Sequence, residues 1–223
     1  MSTDKKIGVV FDLDGVLVDT SKFHKPAWKK LAEKEALEIS DDFFYSTFGM
    51  QNYQIIAKLI GRQPTSEEIQ RISEFKECCF RELAADNIEL MDGVQSLLEE
   101  LKSKGFLLAI GTSTPLENLT FILEQTGIDN YFNAYVTAED VKMGKPAPDT
   151  FKKAAEKLSL PAGRCVVIED AIQGIEAAKT AGMPVVAVSN TRKQKDLKRA
   201  DLTVDSLAGL KADDFIRLLD NSG

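Results

Sequence analysis

The chain is predicted to fold as an α/β protein: a doubly wound parallel sheet with a helical segment inserted after its first strand. Three observations predict this. Short, continuous, β-rich apolar runs stand at 7–11, 106–111, 165–168 and 185–188, as strands buried on both faces do. From residue 105 onward these runs alternate with amphipathic helix patterns, the order that builds parallel strands joined by crossover helices. Residues 20–89 break the alternation, with helical periodicity and almost no strand signal.

The first strand, 7–11, runs into Asp12-Leu13-Asp14-Gly15. In the inserted segment Phe23, Ala27, Trp28 and Leu31 recur at helical spacing, and Thr65-Ser66-Glu67-Glu68 offers a capping box ahead of a helix carrying Ile69, Ile72, Phe75 and Phe80. The crossings at 16–20 and 86–92 are expected to act as hinges. A helix at 94–104 precedes the strand at 106–111, and Thr114-Pro115-Leu116-Glu117 then supplies an N-cap, an N1 proline and an N3 glutamate for a helix at 115–125. A weaker strand at 131–136, a helix at 150–158, the strand at 165–168, a helix at 171–181 and the strand at 185–188 follow. Residues 1–19 and 90–223 would thus form the α/β unit, and 20–89 the helical one.

With 223 residues, 43% of them apolar, the chain can bury a sizeable core. Its net charge of −7 and lack of a long basic run argue against nucleic-acid and anionic-membrane partners. The basic residues at 192–199 are interleaved with Gln194 and Asp196 and read as a solvated helix face. No opening segment has the apolar length of a signal peptide, and no run approaches a membrane span. Three cysteines, with Cys78 and Cys79 adjacent and Cys165 opening an apolar run, make no disulfide framework, and a single histidine leaves no zinc site. A cytoplasmic monomer is expected.

The chemistry gathers where the predicted strands end, the place where open α/β sheets bind ligands. Residues i and i+2 of an extended strand point the same way, so Asp12 and Asp14 can reach one site, and Gly15 lets the chain turn away. Two acids in one place repel unless a cation or a shared proton compensates. The strand at 106–111 ends in Thr112 and Ser113, beside a helix start suited to an oxyanion. Two prolines stiffen the loop presenting Lys145, and the strand at 165–168 ends in Glu169 and Asp170. Taken singly, each has a bland explanation as a cap, a surface lysine or loop acids. Together they suit phosphoryl transfer: a divalent cation among Asp12, Asp14 and Asp170, a carboxylate attacking phosphorus, and Thr112 and Lys145 on the equatorial oxygens. Competing motifs fail. Val16 is apolar where a calcium-binding loop needs a ligand, and Glu139 and Pro146 break a P-loop around Gly144-Lys145.

Asp12-Leu13-Asp14-Gly15-Val16, Thr112, Lys145-Pro146 and Glu169-Asp170 resemble, in order and spacing, the four motifs of the haloacid dehalogenase superfamily, and the resemblance spans nearly the whole chain. The helical insertion and the run from Asp170 to Ala178 are similar to the β-phosphoglucomutase-like branch, whose insertion is a cap over a Rossmann-like core. The resemblance implies roles. Asp12 would be the nucleophile that forms an aspartyl-phosphate. Asp14 would be acid and then base, its backbone carbonyl on Mg²⁺. Asp170 would complete the metal ligands, with Glu169 near or in the coordination sphere. Thr112 and Lys145 would hold the phosphoryl group, with Lys145 also restraining Asp12. True dehalogenases of the family need no metal and lack an acid equivalent to Asp14, so its presence argues against dehalogenation.

The cap is expected to choose the substrate. His24, Trp28 and Lys76 match positions used by the sugar-phosphate mutases of the branch, and with Ser113 and Asn52 they form the expected substrate-contact set. Trp28 also has a plain explanation as core, and His24 and Lys76 as the edge of an apolar face and a solvated lysine. A mutase must hold a second phosphate, for which arginine's fork is suited, yet 48–53 reads Phe-Gly-Met-Gln-Asn-Tyr. Hydrolysis of a small phosphate monoester, a sugar phosphate, is therefore expected, with a β-phosphoglucomutase-type mutase as the runner-up. A catalytically silent acid-rich binding protein is the third possibility, disfavoured because Asp12, Asp14 and Lys145 are all present.

Overall fold

A computed structural model describes residues 6–221. Six parallel strands form one sheet in the order β3-β2-β1-β4-β5-β6: β1 (Gly8–Phe11), β2 (Leu107–Gly111), β3 (Ala134–Val136), β4 (Cys165–Glu169), β5 (Val185–Val188) and β6 (Leu202–Val204). Phe11 is in register with Ile110 on one side and Ile168 on the other. The sequence at β1, β4 and β5 is apolar on both strand faces because both faces are covered. Val9, Phe11, Leu108, Ile110, Val166 and Ile168 pack on one side, with Phe215 of α9 (Ala212–Asp220) and Leu97, Leu98 and Leu101 of α5 (Val94–Ser103). Val10, Ala109, Val167, Val185 and Ala187 pack on the other, with Phe151 of α7 (Asp149–Lys157) and Ile175 of α8 (Ile172–Thr180). Each such side chain removed from water contributes roughly 1.5–3 kcal/mol.

Four helices lie between β1 and α5: α1 (Ser21–Lys34), α2 (Asp41–Thr47), α3 (Asn52–Ile60) and α4 (Ser66–Ala84). They have a small core of their own, in which Trp28, Leu31, Phe44, Phe48, Ile55, Ile56 and Ile72 meet. The capping box forms as expected: Glu68 N donates to Thr65 Oγ1 at 3.2 Å, and Thr65 N donates to the Glu68 carboxylate at 2.8 Å. The two crossings are tied to each other, Met91 N donating to Leu17 O at 2.9 Å beside a Val18–Leu90 bridge. Phe23, Ala27, Phe80 and Ala84, at the bases of α1 and α4, belong to the sheet's core cluster rather than to the helical one.

The structure corrects several expected elements. The strand at 131–136 shortens to β3, because 129–131 coil into a 3-10 turn. The basic stretch at 192–199 holds only a 3-10 turn, Gln194–Asp196, in place of a helix. Thr114 does not cap α6 (Leu116–Thr126). The cap position is Pro115, the Thr114 hydroxyl is drawn to Asp14, and Glu139 takes up the Leu116 N–H instead. The edge strand β6 and helix α9 are additional to the expected elements. Among the described residues no helix is long and apolar enough to cross a membrane, and all three cysteines are free.

Candidate active site

The carboxyl ends of β1, β2 and β4 bring the polar residues together. Asp12 N donates to Ile168 O at 2.9 Å, so the β1–β4 ladder holds its backbone. Gly15 then turns the chain with φ +86, and a Cβ there would stand 2.2 Å from Asp170 Oδ2. The position thus needs glycine both for its conformation and for the close approach. Thr112 N donates to Val136 O at 2.9 Å, which sets the hydroxyl at the end of β2. Lys145 reaches in from the loop before α7, its Nζ 2.7 Å from Asp12 Oδ1 and 2.7 Å from Glu169 Oε1, with all three side chains buried. The other Glu169 oxygen accepts from Asp170 N at 2.8 Å and Ala171 N at 2.7 Å. With both oxygens engaged, Glu169 anchors the lysine and the start of the following loop.

One carboxylate oxygen each from Asp12, Glu169 and Asp170 lies within 4.8 Å of the others. Burial pushes the Asp12 carboxyl upward, Lys145 opposes the rise, and Glu169 and Asp14 add to it. Asp170 is likewise raised well above the usual carboxylate range, by burial and then by the charges of Glu169 and Asp12. Its Oδ2 accepts from the Thr191 hydroxyl, while its Oδ1 is buried with no hydrogen-bond partner. Crowded, oxygen-only donors with an orphaned carboxylate oxygen fit a hard divalent cation.

Asp14 faces a different way. Its Oδ1 accepts from the Thr20 hydroxyl and lies 3.5 Å from His24 Nε2, and its Oδ2 accepts from Thr114 Oγ1 at 2.5 Å. Burial favours protonation, but the hydrogen bonds from His24, Thr114 and Thr20 prevail, aided by the charge His24 gains when protonated, and hold the carboxyl down at about 2. These partners fix the Asp14 side chain at a cavity wall.

His24, Trp28, Asn52, Lys76, Thr112 and Ser113 all line one cavity with Asp12 and Asp14. Lys145, Glu169 and Asp170 are not among its lining residues, and Lys145 meets it through its 2.7 Å bond to Asp12. His24 stacks on Phe80 at 4.1 Å, and its Nδ1 is 2.8 Å from Lys76 Nζ. An ammonium only donates, so Nδ1 accepts and the ring proton sits on Nε2, facing Asp14. Burial and the nearby Lys76 charge lower the His24 pKa, keeping the ring neutral at pH 7. Ser113 Oγ is buried without a partner at the cavity wall.

Sequence reasoning missed four members of this site: Thr20 and Thr114 on Asp14, Thr191 on Asp170, and Glu77 beside Lys76. One signal pointed toward Glu77. Lys76 stands four residues after Ile72 and four before Phe80, which puts it on the apolar stripe of α4 rather than in solvent.

A family model described as haloacid dehalogenase-like hydrolase matches residues 9–188. The phosphorylated carbohydrates phosphatase of Thermotoga maritima is 32% identical over 179 residues, 78% of this chain and 81% of that protein. The β-phosphoglucomutase of Bacillus subtilis is 32% identical over 209 residues, 91% of this chain and 90% of that one. Among solved structures, a β-phosphoglucomutase from Clostridium difficile superposes with a TM-score of 0.87 at 30% identity, covering 97% of this chain and 98% of the other.

Proposed function

The chain belongs to the haloacid dehalogenase-like hydrolases, in the β-phosphoglucomutase-like branch, and from that premise we propose that it is a Mg²⁺-dependent phosphatase of small sugar phosphates acting through an aspartyl-phosphate. The observation that carries this reading is the Asp12–Lys145–Glu169 contact, two bonds of 2.7 Å that fix a buried carboxylate facing the cavity. Asp12, Asp170 and the Asp14 carbonyl would hold the ion, with Glu169 close by. When bound, it supplies positive charge against the phosphoryl oxygens and the Asp12 carboxylate.

Asp12 attacks phosphorus, and the bond to the leaving oxygen breaks as the new P–O bond forms. Thr112 donates to an equatorial oxygen, and Lys145 carries charge beside the reacting group. The unpartnered Ser113 hydroxyl is placed to donate to the ester. Asp14 protonates the leaving oxygen and later accepts a proton from the water that cleaves the acyl-phosphate. As it stands Asp14 is anionic, so it is poised for the second step. The first requires the incoming phosphate's negative charge to raise its proton affinity. The helices of 20–89 act as a cap, with His24, Trp28, Asn52 and Lys76 contacting the sugar.

The lining of the cavity favours water over a second sugar as acceptor. Among the described residues no arginine lines it, whereas a mutase must grip the far phosphate of a bisphosphate before admitting its acceptor. Three free cysteines support a reducing cytoplasmic setting, and a monomer is sufficient because every group named comes from one chain. The direct test is phosphate release from a chromogenic phosphate ester and then from a panel of phosphorylated metabolites. Mg²⁺-dependent turnover with preference for sugar phosphates supports the proposal. No turnover on any of them supports the silent binding protein.

A further inference from the structure

The cap side of the cavity carries one lysine, and that lysine is already neutralised. Lys76 Nζ lies 2.9 Å from Glu77 Oε1, with the two side chains only 3% and 7% exposed. Glu77 is itself held from two directions. Asn52 Nδ2, on α3, donates to its Oε1 at 2.7 Å, and Asn118 Nδ2, on α6, donates to its Oε2 at 2.6 Å. Burial disfavours its charged form, but Lys76 and the hydrogen bonds more than compensate, and the carboxyl titrates below its ordinary range.

Adjacent helical residues diverge by about 100°, so a neighbouring Lys-Glu pair does not ordinarily meet on one buried surface. Here both line the same cavity, with the His24 ring beside them, its Nδ1 2.8 Å from Lys76 Nζ. Arg81 joins this network through Asn118, and it is spent on Asn118 Oδ1 at 2.8 Å and the Glu117 carboxylate at 3.1 Å. Burying an ion pair seldom adds stability over apolar packing, so a pair kept inside a ligand cavity is better explained by what it does to ligands.

We propose that Glu77 is a specificity-determining residue: by cancelling the charge of Lys76 it denies a second anionic group a partner, restricting substrates to monoesters with an uncharged, hydroxyl-rich leaving group. Lys76, with one N–H left after Glu77 and His24, then offers a hydrogen bond to a hydroxyl without net attraction for a dianion. A desolvated second phosphate would face the Glu77 carboxylate, with no unpaired lysine or arginine among the described residues of the lining, and like charges brought together in a partly buried site are strongly unfavourable. The inference rests on the phosphatase reading for the position of the leaving group, but its test reads binding and does not require turnover.

The experiment compares dissociation constants for glucose 1-phosphate and glucose 1,6-bisphosphate by calorimetry with Mg²⁺, in an Asp12→Asn background. Glu77→Gln should shift the affinity ratio toward the bisphosphate by about tenfold or more, because one unit charge beside the ligand is lost. Glu77→Asp, which keeps the charge, should leave the ratio near that of the parent. A purely structural Glu77 would weaken both ligands alike in either variant, and an unchanged ratio in folded Glu77→Gln overturns the inference. Should Glu77→Gln fail to fold, Lys76→Gln decides: leaving Glu77 uncompensated, it should move the ratio further against the bisphosphate, and a ratio unmoved or reversed is refutation. Failure of phosphate release by the unmodified enzyme would overturn the phosphatase reading without altering these binding ratios.

Discussion

Lys145 Nζ lies 2.7 Å from Asp12 Oδ1, joining two buried side chains 133 positions apart in the chain. The lysine also holds Glu169, so Asp12 can lose its charge without stranding the ammonium. Asp12→Asn is therefore expected to fold normally and to lose turnover by on the order of 10³ or more, as when a covalent nucleophile is removed. Circular dichroism with a steady-state phosphate assay checks both halves. Activity within tenfold of wild type would sink the nucleophile assignment. Lys145→Ala, by contrast, leaves two buried carboxylates unpaired and should destabilise the fold by roughly 3–5 kcal/mol.

The orphaned Asp170 Oδ1 makes metal dependence the next expectation. EDTA should abolish turnover and Mg²⁺ restore it, while Asp170→Asn should raise the Mg²⁺ concentration needed for half-maximal activity. Full turnover in metal-free buffer would contradict the reading and reopen metal-free dehalogenation.

Gly174 ties the α8 sequence to the site. A Cβ added there would stand 1.7 Å from Glu169 Oε1, the oxygen that holds Lys145. On helix propensity alone Gly→Ala should stabilise α8 by about 1 kcal/mol. Because the Glu169 side chain would have to move off Lys145, Gly174→Ala should instead lower both the melting temperature and kcat, the latter by about tenfold or more. A more stable, fully active variant would show that Glu169 can be displaced without consequence.

Much of this site is legible in the sequence. Buried parallel strands are apolar to their last residue, so the abrupt acids of Asp12 and Glu169 and the hydroxyl of Thr112 stood out. His24, Trp28 and Lys76 come from resemblance, and with Asn52 they line one cavity. Thr114 was misread because a hydroxyl ahead of Pro115 looks like a cap, and only the tertiary partner, Asp14, decides where it points. Glu77 was missed because acids beside lysines on helices usually face water. β6 escaped because three half-buried residues at a sheet edge carry no apolar run, and α9 because its apolar face was not weighed against Phe106 and α5, the surfaces it covers.

The chain has one histidine, so its imidazole gives a single NMR signal to titrate. Burial and Lys76 lower the His24 pKa, so its midpoint should fall below the ordinary 6.5. Lys76→Met should raise it, and Asp14→Asn should lower it further. Since the folded value is the depressed one, the neutral ring's contribution to stability is full above pH 6.5 and is lost as pH falls through the folded value. A wild-type midpoint at or above 6.5 would mean that Asp14 and Glu77 outweigh burial and Lys76 at the ring.

Phosphorus NMR of β-glucose 1-phosphate, with enzyme, Mg²⁺ and a trace of glucose 1,6-bisphosphate, follows both fates of an aspartyl-phosphate in one tube. Water as acceptor gives inorganic phosphate; a sugar hydroxyl as acceptor gives glucose 6-phosphate. With no arginine among the described residues that line the cavity and Lys76 neutralised by Glu77, inorganic phosphate should grow with little glucose 6-phosphate beside it. Glucose 6-phosphate growing faster than inorganic phosphate would contradict the hydrolase reading and establish a mutase.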